Sequence, residues 1–184
     1  VLSDQISFAV ALHEPLEDLP AWLIANDAPV RTVAEVAARI ASPDVRAAYE
    51  AILADAFGPQ YDAAMNTLRP QLQHLYATTF AANALDALLF PTTLLPAVPM
   101  DALNGSSQVS INGGEPMDEM AAFLRNTDPA SVAGIPGLSL PAGMTQEGLP
   151  VGIELDGPTG SDRRLLAIGV AFEQVLGSLP APML

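Results

Sequence analysis

Apolar positions recur every three or four residues through much of the first half of the chain, and this spacing predicts helices. Thr32 with Glu35 three residues on forms a capping box, followed by Val33, Val36, Ala37 and Ile40 on one helical face. Ser42-Pro43-Asp44 then supplies a cap, a proline at the first helical position and a first-turn carboxylate, opening an alanine-rich helix expected to stop at Gly58. From Tyr61, the residues Met65, Leu68, Leu72, Leu75, Tyr76 and Phe80 continue the helical period, with Pro70 bending or restarting the helix.

The pattern changes at Asp86. Asp86-Ala87-Leu88-Leu89-Phe90 is a short apolar run bounded by Pro91, the signature of a buried strand, with Thr92 and Thr93 at its carboxyl end. Residues 94–118 read as a long irregular connection bordering a pocket, because long loops in compact domains so often carry function. Leu138–Leu140 and Val151–Leu155 are the next strands, the second alternating Val151, Ile153 and Leu155 with Gly152, Glu154 and Asp156. Ser161 or Asp162 caps a last helix whose Leu165, Ile168, Phe172 and Val175 form a stripe ended by Gly177. The expected fold class is therefore α/β, with a mainly helical portion over residues 1–85 and a sheet-and-helix portion over 86–184 of the same domain.

Composition narrows the functions. Half of the 184 residues are apolar and only 15% are charged, against about 25% in an ordinary soluble domain, so some surface is expected to face another part of a larger protein. The net charge of −14 would repel the phosphates of DNA or RNA and the anionic headgroups of a membrane, and no window approaches the ~20 apolar residues that span a bilayer. A soluble, cytoplasmic protein is expected. Without cysteine there is no thiolate nucleophile, disulfide framework or zinc-thiolate site.

Several residues invite a catalytic reading. His13 and His74 are the two imidazoles, but neither stands in a recognisable nucleophile elbow, and with no ligand partner at metal spacing no metal is expected. Glu154 and Asp156 share a strand face and could form an acid-base pair; a charge pair or cap with Arg163 and Arg164 at the strand-to-helix turn is preferred. Asn126, Thr127, Asp128 and Ser131 gather ahead of a turn containing Gly134, Pro136 and Gly137, suited either to anchoring a loop or to touching substrate. Asn104-Gly105-Ser106 is a formal glycosylation sequon with no secretory context.

The run Asn126–Gly143, with Leu149–Pro158 and Ser161–Leu166 behind it, resembles the C-terminal third of amidase-signature hydrolases, especially their aryl-amidase and mandelamide-hydrolase branch. The Asn126-Thr127-Asp128-Pro129 and Ser161–Leu166 segments favour that branch over the amidotransferase subunits that share the broad motif. The resemblance implies part of a single α/β/α domain with a mixed sheet covered by helices. It also implies amide cleavage by a serine, a second serine in a cis peptide and a lysine, all from a more N-terminal segment, without metal or organic cofactor. This chain has no lysine, and Gly105-Ser106-Ser107 is followed by Gln108 and Val109 rather than glycines, so it reads as a polar loop. No catalytic residue is assigned here. By resemblance, Thr92, Thr93, Asn126, Thr127 and Ile135 shape the substrate pocket, with Ile135 and aliphatic residues around Leu94 as apolar walls for an aryl group. The expected partners are a small-molecule amide and a missing N-terminal half of the same protein; a homo-oligomer is compatible with the sequence. The alternative is a non-enzymatic acidic domain on an amidase-derived scaffold that binds a protein partner.

Overall fold

The structure, a computed structural model, describes residues 2–100, 107–177 and 179. The chain divides into two compact units, one drawn from Val1–Gln71 and Met100–Ser107 and the other from Leu72–Pro99 and Gln108–Leu184. Gly105-Ser106 and the sequon lie outside the described residues.

The first unit is helical: α1 (Leu2–His13), α2 (Pro15–Ala25), α3 (Val33–Ala37), α4 (Pro43–Leu53) and α5 (Gly58–Ala63) lead into a π-helical stretch, Ala64–Leu68, and the start of α6 (Arg69–Asn83). Ile6, Ala9, Leu23, Val33, Ile52 and Ala64 are its buried apolar residues. The expected capping box is present, with the Glu35 amide donating to Thr32 Oγ1 over 3.2 Å and the Thr32 amide to Glu35 Oε2 over 3.0 Å. The hydrogen bond from the Arg31 amide, then that from Thr32, lowers the Glu35 carboxyl below its usual range. The alanine-rich helix ends at Leu53 rather than Gly58, because Asp55 turns left-handed at φ 49° and Gly58 instead opens α5. The disturbance expected from Pro70 falls one turn early. With no amide hydrogen for the carbonyl four residues back, a proline there strains an α-helical turn, and the π stretch just before it widens that turn.

The second unit is built on a three-stranded sheet ordered β1 (Leu88–Pro91), β5 (Pro150–Asp156), β4 (Gly137–Met144). Between β1 and β4 in sequence come a two-stranded ribbon, β2 (Gln108–Val109) and β3 (Met117–Asp118), and helices α7 (Glu119–Leu124) and α8 (Asp128–Ala133). The ribbon lies inside the connection expected to be irregular. Where the sequence reading expected a mixed sheet, these strands pair antiparallel. For β4 and β5 the reason is the short Thr145–Leu149 turn that joins them, since parallel neighbours need a crossover of a dozen residues or more. Prolines sit where a ladder tolerates them: Pro91 and Pro141 on outer strands, Pro150 opening the central one.

Helix α9 (Asp162–Leu176) covers one face of this sheet. Leu140, Leu155 and Leu165 form the buried cluster, with Ala87, Leu138, Ile153, Ile168 and Phe172 packed against it. The helix comes close to β4 at Gly169, where an added Cβ would collide with Leu138 Cδ2. Val175, placed by its spacing in the same stripe, is 86% exposed, the packed positions ending at Phe172. No described helix is long and apolar enough to cross a membrane.

Leu155, 2% exposed, should be the residue on which this core depends, whereas its cross-strand partner Leu89 is 54% exposed. Leu155→Ala is expected to cost about 2–5 kcal/mol and Leu89→Ala less than about 1 kcal/mol. Denaturant unfolding followed by circular dichroism checks this, and equal losses would place the core elsewhere.

Candidate functional site

The chain leaves β1 at Pro91 and is held in two places as it does so. The Thr92 amide donates to the Gly152 carbonyl over 3.1 Å, extending the ladder by one bond, and Asn126 Nδ2 donates to the Pro91 carbonyl over 2.7 Å. Asn126 lies between α7 and α8, so a side chain 35 positions away in sequence fixes the exit from the strand. The hydroxyls of Thr92 and Ser139 meet at 2.7 Å, one from each outer strand, across the central strand at Gly152. A Cβ at that glycine would stand 2.8 Å from Thr92 Oγ1 and 3.2 Å from Ser139 Oγ, so the bridge requires a residue without one.

Beyond this bridge Thr93 Oγ1 donates to the Leu95 carbonyl over 2.7 Å, curling the chain back on itself. The curl encloses a cavity of about 330 Å³ lined by Pro91, Thr93, Leu94, Leu95, Pro96, Ala97, Phe123, Pro150, Val151 and Gly152. Its walls are more apolar than polar, with Phe123 as an aromatic surface and Thr93 supplying a hydroxyl beside the strand ends. That volume is at the small end of sites that enclose organic ligands.

The five residues singled out from sequence take different positions. Thr93 lines the cavity, Asn126 buttresses its rim through Pro91, and Thr92 joins β1 to β4 beside it. Thr127 begins α8, its carbonyl accepting from Ser131 Oγ over 3.0 Å, and Ile135 is buried where the chain passes from α8 to β4. Leu94 also lines the cavity. Phe123, Pro150 and Val151 were not picked out from sequence; Phe123 sits in a short helix, and only the fold brings it to the strand ends.

Other titratable residues lie elsewhere. In the first unit His13 Nδ1 is 2.7 Å from Asp55 Oδ1 with its ring tilted against Tyr61. The two carboxylates of β5 do not form the expected charge pair with Arg163 or Arg164. Arg164 instead pairs with Asp86, while Glu154 and Asp156 are buried, at 7% and 0% exposure. Both acids are thus buried on the β5 face opposite α9, although Gly137 and Ser139 beside them on β4 remain exposed. No group of three or more histidine, aspartate or glutamate side chains among the described residues is arranged to hold a metal ion.

Residues 28–166 match the Amidase family profile. The indoleacetamide hydrolase of Rhizobium radiobacter is 41% identical over 180 residues, 96% of this chain and 37% of that protein. The mandelamide hydrolase of Pseudomonas putida is 39% identical over 193 residues, covering 98% of this chain and 36% of that one. Among solved structures, a bacterial aryl acylamidase of the amidase signature family superposes with a TM-score of 0.65 at 26% identity, over 94% of this chain and 34% of that one. This chain thus spans a little over a third of the length of the curated relatives it matches.

Removing the Asn126 tether should loosen the cavity rim without disturbing the core. Asn126→Ala is expected to speed amide exchange at Thr92 by about tenfold, the loss of roughly one hydrogen bond, and to leave Leu155 unchanged. Exchange measured by NMR that is unaltered at Thr92 would remove Asn126 from the site.

Proposed function

The chain belongs to the amidase signature family, and from that premise we propose that it is the C-terminal, pocket-bearing part of an amide hydrolase acting on a small, aryl-substituted carboxamide. The cavity at the end of β1 carries this reading. It is small, walled by proline, leucine and valine side chains, and has one aromatic face in Phe123. An aryl group transferred from water against such walls gains about 25 cal/mol for each Å² of apolar surface it buries there. A charged acyl group would lose hydration there instead. The relatives that act on indoleacetamide and mandelamide, both arylated acetamides, support the same substrate class.

In this reading the bond-breaking groups come from outside these 184 residues. The chain has no lysine to serve as the family's base, and none of the described residues lining the cavity is a histidine, aspartate or glutamate, which supports the same division of labour. The intact enzyme would form an acyl-enzyme on its serine, release ammonia or an amine, and return to its starting state by hydrolysis. This part would hold the acyl group while the chemistry proceeds elsewhere in the protein. Burial of the aryl group orients the carbonyl, and such positioning is worth several powers of ten in rate.

Ammonia release from phenylacetamide and indole-3-acetamide tests the proposal, with the 184-residue chain alone and with the chain extended through its upstream reading frame. Activity in the extended protein only is the expected outcome; turnover by the 184 residues alone would overturn it, and silence in both would favour an acidic protein-binding domain on the same scaffold. In an active extended protein, Phe123→Ala should lower kcat/KM for phenylacetamide by about tenfold or more and for acetamide by much less. Equal losses on the two amides would remove the aryl group from this cavity.

A further inference from the structure

Two acids on the central strand of the second unit have no role in the reading above. Glu154 and Asp156 stand two residues apart on β5 and point to the face opposite α9. Their side chains converge over Gly137 of the neighbouring strand: Asp156 Oδ1 lies 3.2 Å and Glu154 Oε1 3.3 Å from the point where a Cβ of that residue would stand. Glycine at position 137 therefore lets both carboxyl groups occupy the same small space. Glu154 Oε2 and both Asp156 oxygens are buried without a hydrogen-bond partner.

We propose that Glu154 and Asp156 hold one proton between them up to neutral pH, and that keeping it makes the second unit progressively less stable as the solution is brought from acid to neutral. Two ionised carboxylates this close and this dry repel each other and forfeit their hydration, so the pair must lose charge or gain a counter-charge. The groups facing it supply none. From β4 come Gly137 and Ser139, and from β1 Leu88 and Phe90, none of them titratable in this range. From α6 comes the Tyr76 hydroxyl, itself pushed up to about 12 by burial and then by Asp156, Asp128 of α8 and Glu154. Arg164 of α9 is engaged by Asp86. A metal ion would want more ligands than two carboxyl groups provide, and no third acidic or histidine side chain among the described residues joins them to hold one. A proton meets the need, turning one acid into a donor for the other.

Burial, then the Glu154 charge, pushes Asp156 up to about 7, and burial raises Glu154 as well. In the unfolded chain an aspartate titrates near 3.9, so across roughly pH 4 to 7 the folded protein keeps a proton that the unfolded chain has released. Stability from this source is complete below that window. It falls by about tenfold in the folding equilibrium for each pH unit within the window and levels off above it.

Carboxyl ¹³C NMR titration of the 184-residue protein, paired with urea unfolding from pH 4 to 9, tests the proposal. One carboxyl of the pair should titrate near 7. Asp156→Asn should flatten the fall in unfolding midpoint seen in the parent, and Glu154→Gln should bring the Asp156 midpoint down. If both carboxyls of the unsubstituted protein titrate below about 5, the pair is ionised at neutral pH and the proposal fails, whether or not either variant folds.

Discussion

The second unit depends on one strand being bonded on both sides. With β1 on one edge and β4 on the other, β5 cannot shift register without breaking two ladders at once, and a slip of one residue would turn every side chain to the wrong face. Its alternation therefore dictates the faces of all three strands. Ile153 and Leu155 go to α9, where with Leu140 and Leu165 they form the apolar core. Gly152, Glu154 and Asp156 go to the other side, and each imposes a condition on its neighbours. Gly152 leaves room for the Thr92–Ser139 bridge, and the two acids converge over Gly137.

The cavity inherits its position from that register. Pro91 lies opposite Ile153, so β1 ends with its next residue beside Gly152, and the chain turns away there because the ladder has run out. Asn126 then decides where it goes, by taking the Pro91 carbonyl that the sheet no longer satisfies. A rim held by one strand end and one amide side chain can differ in sequence beyond Leu94 without altering the sheet beneath it. Such a separation of a stiff sheet from an adjustable loop lets one scaffold vary what its loops contact.

What could be read from the sequence is what depends on neighbours. The Thr32–Glu35 box, the Ser161–Gly177 helix and the strand runs at Leu88, Leu138 and Val151 are determined within a few residues, and each forms close to its expected place. The π stretch before Pro70 could not be read, because the spacing that marks a helix does not say where a strained turn will widen. Nor could the surroundings of Glu154 and Asp156. Alternation put them on the polar face correctly, but whether such a face meets water is decided by distant segments, here including Tyr76. The same holds at the site: Thr93 and Leu94 were within reach of sequence reasoning because they follow a strand end, whereas Phe123 and Val151 meet only through tertiary pairing.

Composition and structure bear together on what the chain is part of. Leu89, Leu166 and Val170 of the second unit are each more than half exposed, while its buried cluster consists of three leucines. Lone exposed apolar residues are ordinary, but these occur in a chain that is half apolar and 15% charged, so there is little polar side chain to screen them. The outer edges of β1 and β4 carry backbone groups with no strand partner among the described residues, and proteins seldom leave long edges open to solvent. Further strands and helices from the same polypeptide would satisfy both conditions at once. That supports the reading of this chain as the pocket-bearing part of a longer hydrolase over that of a self-contained binding domain, which would have to cover the same surface by association.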